Sequence, residues 1–161
     1  MNDRPNHITP EGLAKLRARY RLLFDTERPK VVETVSWAAG NGDRSENGDY
    51  IYGKKRLREI DWELGHLSKR MKAAVVVIPS EQPDKARIWF GATVTIADMD
   101  DNERIITLVG DDETDTNSGR ISWHAPLARA LRGAVVGDTR KVTLPSGVIE
   151  YEVIQIRYPD P

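Results

Sequence analysis

Apolar residues recur at alternating steps of three and four along two stretches of the N-terminal half. The first stretch contains Leu13, Leu16, Tyr20 and Leu23, and the second contains Leu57, Ile60, Leu64, Leu67 and Met71. This spacing places the apolar residues on one face of an α-helix and is typical of two helices that pack along a narrow seam. Each stretch therefore predicts a long helix with one buried face.

The first predicted helix has a start signal and an interruption. Thr9 can accept a hydrogen bond from the first helical amides, and Pro10 is tolerated at the first helical position. Pro29 lacks an amide donor and crowds the preceding turn, so we expect a bend there. Counted as one rod from residue 10 to 38, the helix would be about 43 Å long at 1.5 Å per residue.

The connection between the two helices is rich in glycine and asparagine. Gly40, Asn41 and Gly42 indicate a chain reversal, so the two helices should form an antiparallel hairpin. Gly53 falls on the seam face of the second helix. It weakens a helix by roughly 1 kcal/mol relative to alanine, but it lets the partner helix approach closely.

The C-terminal half has the short apolar runs of a small strand-rich domain. Residues 75–78, 93–96, 141–144 and 148–158 have β character, and a turn signal at 145–147 precedes the last of them. Pro126–Leu131 predicts one short helix. The fold class is therefore α+β, with an antiparallel coiled-coil hairpin over 8–78, a linker over 79–84 and a strand-rich domain over 85–158.

Composition excludes several classes of protein. The chain has 161 residues, 39% hydrophobic and 30% charged, and it contains no cysteine, which excludes disulfides and thiolate metal sites. No apolar run approaches the roughly 20 residues of a membrane span, and the N-terminus lacks the apolar core of a signal peptide. We therefore expect a cytoplasmic monomer without membrane contact.

Charge is divided unequally along the chain. Residues 1–78 hold 15 Lys/Arg and 11 Asp/Glu, whereas the remainder holds 9 and 14. The N-terminal half is therefore the part more suited to approach a polyanion.

Asp43 and Glu46 in the connection are the first candidates for chemistry. In one interpretation they form a capping box, with Asp43 as N-cap of the second helix and Glu46 three residues later. In the other, a hairpin tip presents both carboxylates outward, where they could hold Mg²⁺ or orient a water. Two carboxylates alone bind Mg²⁺ weakly, so the other ligands would come from a partner or substrate.

A basic run follows the connection. Lys54, Lys55, Arg56 and Arg58 are predicted to point away from the partner helix, and Arg44 and Lys30 are candidates to extend the same patch. Such a run is either a solvated helix face or a contact for nucleic-acid phosphates.

The aromatic residues and histidines complete the candidates. Trp62 falls on the outer side of the second helix, and we expect it to be covered by packing against the C-terminal half. Trp37, Trp89 and Trp123 are expected in or near a core. The three histidines have no metal-ligand spacing, and neither a nucleophile-and-base pair nor a Gly-rich phosphate loop is present.

Several of these segments resemble the bacterial Gre transcript-cleavage factors, and the GreB type more than the GreA type. The resemblance is carried by residues 43–50, running on into 53–61, by Arg28-Pro29 and Trp37-Ala38-Ala39, and by residues 90–92 and 122–131. It covers roughly residues 8 to 158. It implies an N-terminal coiled coil followed by an FKBP-like domain.

The resemblance also implies a function. Such factors are not enzymes themselves; they bind RNA polymerase, insert the coiled coil into its secondary channel and stimulate cleavage of backtracked RNA. By position, Asp43 and Glu46 would hold a Mg²⁺ jointly with polymerase, with no metal expected on the isolated protein. Arg44 and the basic residues 54–56 and 58 would contact the nascent RNA 3′ segment, and His124 and Pro126 would dock on polymerase.

Two departures and two alternatives accompany this resemblance. Gly48 stands where the family usually has alanine, which should loosen the first turn of the second helix. His124 stands where the family has Asp or Asn, which alters the docking loop.

One alternative is a Gre-fold inhibitor that occupies the channel without promoting cleavage, and the other is a peptide-binding or prolyl-isomerase module.

Overall fold

The computed structural model describes residues 4–41 and 47–160. The chain divides into two compact units. Ala14–Ala73 is called the hairpin unit, and Met1–Leu13 together with Ala74–Pro161 is called the strand-rich unit. The domain boundaries predicted from sequence stay predictions.

The first predicted helix is divided into three segments. Helix α1 spans Pro10–Arg21, a π-helical segment spans Leu22–Glu27, and helix α2 spans Arg28–Ala39. The amide of Arg28 donates to the carbonyl of Leu23, five residues earlier. The proline ring at position 29 crowds the carbonyl four residues before it and cannot donate to it, so the disturbance expected at Pro29 lies in the preceding turn.

Helix α3 spans Gly48–Lys72 and provides the second side of the seam. Its predicted apolar stripe is confirmed, because Ile60, Leu64 and Leu67 are buried and pack with Leu23. Leu16, Tyr20, Val31 and Met71 are partly buried against this cluster. The seam thus supplies the apolar core of the hairpin unit.

Three ion pairs establish that the hairpin is antiparallel. Arg19 bonds Glu63 at 2.8 and 3.1 Å, and Arg28 bonds Asp61 at 2.7 Å. Arg56 bonds Glu27 at 3.1 Å. From residue 19 to residues 27 and 28 on the first side, the partner moves back from Glu63 to residues 56 and 61, as expected for antiparallel helices.

Gly53 lies at a close approach of the two helices of the hairpin. A Cβ atom at this position would lie 2.6 Å from Cγ2 of Val35. The inference that Gly53 allows close approach is therefore confirmed. A Cβ at Gly65, on the exposed side of the same helix, would meet nothing within 4 Å.

These two glycines make a matched pair of substitutions. Gly53→Ala is expected to destabilise the protein by about 1–3 kcal/mol, because a valine in a helix has one favoured rotamer and cannot move aside. Gly65→Ala is expected to stabilise it by about 0.5–1 kcal/mol through helix propensity. Thermal unfolding followed by far-UV circular dichroism tests both. Shifts of the same sign would contradict the packing argument.

The described residues of the strand-rich unit form seven strands in two sheets. Strands β1 (Asn6–Ile8) and β2 (Ala74–Val76) form a parallel pair, with His7 opposite Val75. The larger sheet has the order β5-β4-β3-β7-β6. Its strands are β3 (Thr93–Ala97), β4 (Glu103–Val109), β5 (Arg120–Ser122), β6 (Thr139–Leu144) and β7 (Gly147–Arg157).

Helix α4 completes the core of this unit. It spans Pro126–Leu131, as predicted, with proline as its first residue. Ala128 and Leu131 are buried against sheet residues such as Val94 and Val153. The predicted α+β class is therefore confirmed, with a helical hairpin followed by a strand-rich unit.

A buried carboxylate anchors the start of α1 within the strand-rich unit. Glu113 is only 8% exposed, and its side chain accepts hydrogen bonds from the amides of Thr9 and Gly110, each at 3.0 Å, and from the Thr9 hydroxyl. Thr9 in turn accepts from the amide of Gly12 at 3.1 Å, which confirms the predicted cap. A Cβ at Gly12 would clash with the side chain of Glu113, so glycine leaves the space that this carboxylate occupies.

Candidate functional site

Asn47 joins the two helices at the connection that was predicted to carry chemistry. Its side-chain oxygen accepts from the amide of Tyr50 at 3.1 Å, and its side-chain amide donates to the carbonyl of Ala38 at 2.7 Å. It therefore caps α3 and satisfies a carbonyl in the last turn of α2. The N-cap role that the capping-box interpretation assigned to Asp43 belongs to Asn47.

Asp43, Arg44 and Glu46 lie outside the described residues, so their predicted roles stay predictions. The described residues on either side show where the connection between α2 and α3 begins and ends. Helix α2 ends at Ala39, and α3 begins at Gly48, where a Cβ would meet nothing within 4 Å. The glycine that departs from the family pattern is thus at an uncrowded first helical position.

The basic residues of α3 divide into two groups. Lys54, Lys55 and Arg58 are exposed, and none of them forms an ion pair with a residue in the described ranges. Arg56 was predicted to point away from the partner helix, and that prediction is wrong. It is half-buried and bridges Glu27 at 3.1 Å and Glu59 at 3.5 Å.

A shallow groove lies beside Arg56, between α2 and α3. It is lined by Lys30, Val31, Thr34, Tyr52, Gly53 and Arg56. Lys30 therefore lies beside Arg56, on the opposite helix from the other basic residues. The absence of a side chain at Gly53 leaves part of this space open.

Two of the ion pairs in the hairpin shift the pKa values of their members. The hydrogen bonds from Arg19 lower the pKa of Glu63, with burial opposing the shift, and the same contact raises the pKa of Arg19. The bond to Asp61 raises the pKa of Arg28. Glu63 and Asp61 are therefore each engaged by an arginine, whereas the side chains of Lys54, Lys55 and Arg58 are exposed.

Trp62 is on the outer face of α3, and the prediction that its ring is covered is wrong. It is 70% exposed and stacks on His66, with the ring centroids 5.2 Å apart and the planes 4° from parallel. Trp37 is 63% exposed, so its predicted core position is wrong too. A two-helix hairpin buries one stripe on each helix, and a tryptophan off that stripe has little to pack against.

The signal for the stacked pair was present in the sequence. Trp62 and His66 are four residues apart, which places them one above the other on a helix. Metal-ligand spacing is a different signal and does not identify this pair. Trp123 does pack beside a core, whereas Trp89 is 36% exposed.

The predicted docking residues lie at the start of α4. His124 and Pro126 are both exposed, and the amide of His124 donates to the Ser122 hydroxyl at 3.0 Å. That hydroxyl donates to the carboxylate of Asp111. The loop therefore has an acidic group beside it, although position 124 is a histidine.

Arg132 contacts this loop through Trp123. Its guanidinium lies 4.0 Å from the centre of the Trp123 ring and donates to the Trp123 carbonyl. Its Nε atom is buried and has no hydrogen-bond partner in the described structure. Burial, followed by the nearby charge of Arg129, lowers the pKa of Arg132.

The described residues contain no group of three or more His, Asp or Glu placed to hold a metal ion. None of the helices in residues 4–41 and 47–160 combines the length and apolar character needed to cross a membrane. Lys54, Lys55 and Arg58 are exposed on α3 with the stacked pair beyond them, and together they form a candidate interface.

Comparison with known proteins gives consistent matches over both halves. The family model described as "Transcription elongation factor, N-terminal" matches residues 6–76, and "Transcription elongation factor, GreA/GreB, C-term" matches residues 82–158. Transcription elongation factor GreB of Neisseria meningitidis serogroup B is 47% identical over 95% of this chain and 94% of its own length. GreB of Pseudomonas aeruginosa is 46% identical over 94% and 90%.

Two further matches are more distant. GreA of Neisseria meningitidis serogroup B is 37% identical over 94% of this chain and 96% of its own. The crystal structure of Gfh1, a GreA factor homolog of Thermus thermophilus, matches with a TM-score of 0.44 and 20% identity, covering 96% of this chain and 99% of that one.

Proposed function

Because the chain belongs to the GreA/GreB family of transcription elongation factors, we propose that it binds RNA polymerase and stimulates cleavage of backtracked nascent RNA. The hairpin unit enters the secondary channel, and the connection between α2 and α3 reaches the polymerase active site. Bond cleavage is carried out by polymerase, so the chain is not an enzyme by itself.

One observation carries this proposal. Family membership coincides with an antiparallel hairpin whose connection contains Asp43 and Glu46. Three exposed cations follow on α3, and they form no ion pair with any described residue. The apolar seam and three crossing ion pairs stiffen the hairpin, which lets it deliver its connection as a unit.

Magnesium is held jointly with polymerase in this proposal. Asp43 would supply a carboxylate oxygen to the ion, and Glu46 would position the ion or the attacking water, which the ion would activate. Mg²⁺ favours carboxylates, phosphates and water as ligands. Two carboxylates on the isolated protein are too few to bind it tightly, so polymerase and RNA complete the set. An isolated monomer without metal is the expected resting state.

In this proposal the exposed cations bind the RNA. Lys54, Lys55 and Arg58 attract the phosphates of the extruded 3′ segment, and Arg44 extends the patch at the connection. Arg56 is assigned to the hairpin instead, because Glu27 and Glu59 already occupy it. His124 and Pro126, with Asp111 beside them, face polymerase from the strand-rich unit.

Reversing charge at two of these cations tests the RNA contact. Lys54→Glu with Lys55→Glu is expected to slow cleavage of RNA backtracked by many nucleotides at least tenfold, and of RNA backtracked by two nucleotides much less. A longer extruded segment offers more phosphates to the basic face. Lys69→Glu with Lys72→Glu makes the same change of net charge about 24 Å further along the helix. Indifference to RNA length would count against the contact.

The proposal as a whole is tested with stalled elongation complexes. Wild-type protein is added to complexes backtracked by defined lengths, and the appearance of short 3′ cleavage products is followed. We expect a large rise in cleavage rate over polymerase alone. Binding to polymerase accompanied by slower cleavage would favour the inhibitor alternative.

A further inference from the structure

Trp62 and His66 form an exposed aromatic surface that the proposed function leaves unused. The two rings stack nearly in parallel, and Trp62 keeps 70% of its surface exposed. Isolated apolar residues are common on protein surfaces, but a large ring held flat by a second ring presents a rigid planar face. Such a face suits a planar ligand.

The stacked pair continues the basic side of α3. The buried residues Gly53, Ile60, Leu64 and Leu67 mark the seam. Lys55, Arg58, Trp62 and His66 follow one another at steps of three, four and four, which places them on a single stripe opposite that seam. Lys55, Arg58, Glu59 and Trp62 line one shallow depression on this stripe.

We propose that the Trp62–His66 pair is a stacking platform for a base of single-stranded RNA, whose phosphates are bound by Lys55 and Arg58. This inference rests on the proposed function and extends its RNA contact along α3. Cations beside an aromatic face are the combination that binds single strands without sequence preference. Phosphates on either side of a stacked base would pair with Lys55 and Arg58, which form no ion pair with any described residue.

The position of the pair sets a length requirement. Trp62 lies 14 residues after Gly48, about 21 Å along the helix. A stacked strand advances about 3.4 Å per nucleotide, so an RNA that starts at the connection needs about six extruded nucleotides to reach the platform. RNA backtracked by two nucleotides cannot touch it.

The test uses full-length variants at limiting protein concentration. Trp62→Leu removes the aromatic face, and Trp62→Phe keeps a smaller one. Phe24→Leu is the matched control, because Phe24 is also exposed and stacked on a neighbour, Tyr20, elsewhere on the hairpin unit. Each variant is assayed on complexes backtracked by two and by about ten nucleotides, and its affinity for polymerase is measured separately.

Trp62→Leu is expected to slow cleavage about five- to tenfold on the longer RNA, the lower part of the range for one stacked base. The rate on the two-nucleotide substrate, the polymerase affinity and the melting temperature should stay unchanged. Trp62→Phe should recover most of the loss, and Phe24→Leu should match wild type at both lengths.

Three other results would overturn the inference. Equal rates for Trp62→Leu and wild type at both lengths would mean that no base stacks there. Slower cleavage at both lengths with weaker polymerase binding would mean that this face contacts polymerase. If wild-type protein stimulates cleavage at neither length, the proposed function itself fails, and the platform fails with it.

Discussion

Replacing Asp43 by alanine is expected to abolish stimulation of RNA cleavage while leaving polymerase affinity nearly unchanged. The carboxylate is proposed to complete the coordination of a Mg²⁺ that polymerase and RNA hold only partly, and alanine offers no oxygen ligand in its place. Polymerase affinity is assigned to other surfaces, among them the loop that carries His124 and Pro126. The stalled-complex assay measures the first effect, and fluorescence anisotropy of labelled protein measures the second.

Asp25→Ala is the matched control for this experiment. Asp25 is an exposed aspartate in the π-helical segment, away from the connection, and its loss makes the same change in net charge. We expect it to keep full stimulation. If Asp43→Ala lost cleavage and binding in equal measure, the separation of metal delivery from docking would be wrong. Glu46→Ala should lower cleavage in the same assay without weakening binding.

Replacing Glu113 by alanine is expected to destabilise the strand-rich unit by about 3–5 kcal/mol. The substitution removes a buried acceptor and leaves the amides of Thr9 and Gly110 and the Thr9 hydroxyl without it. A buried donor that loses its partner costs about 1–3 kcal/mol, and breaking a buried charged network costs more. Arg120, 3.5 Å from the carboxylate, loses its ion pair as well.

Glu103→Ala provides the comparison for Glu113. Glu103 is an exposed residue of β4, and its replacement is expected to change stability by less than about 0.5 kcal/mol. Urea unfolding followed by near-UV circular dichroism reports on Trp123, which packs beside the core of this unit. A loss below about 1 kcal/mol for Glu113→Ala would contradict the view that this carboxylate anchors the start of α1.

The helical part of the fold could be predicted because its signals are local. The apolar steps of three and four, the cap at Thr9 and the proline at position 126 each act within one or two turns of helix. The structure places the seam, the start of α1 and the bounds of α4 where these signals indicated.

Parts of the candidate site could be predicted for a different reason. The exposure of Lys54, Lys55 and Arg58 follows from the helical frame of the seam, since a residue opposite a buried stripe has nowhere else to point. The same reasoning predicts the wrong direction for the side chain of Arg56. It lies at the flank of the stripe, and its long side chain reaches an acid on the other helix that no local pattern identifies.

The sequence by itself determined the α+β class, the hairpin seam and the family, because spacing, capping and motif residues act over short distances along the chain. Only the tertiary structure decided that Glu113 is buried and accepts hydrogen bonds from Thr9, 104 positions away, and that β1 pairs with β2. It also decided that Trp62 stays exposed and stacks on His66. The physical reason is that burial, pairing and exposure depend on which segments, distant in sequence, pack against a residue in the folded protein. The residue's own neighbours in sequence do not carry that information.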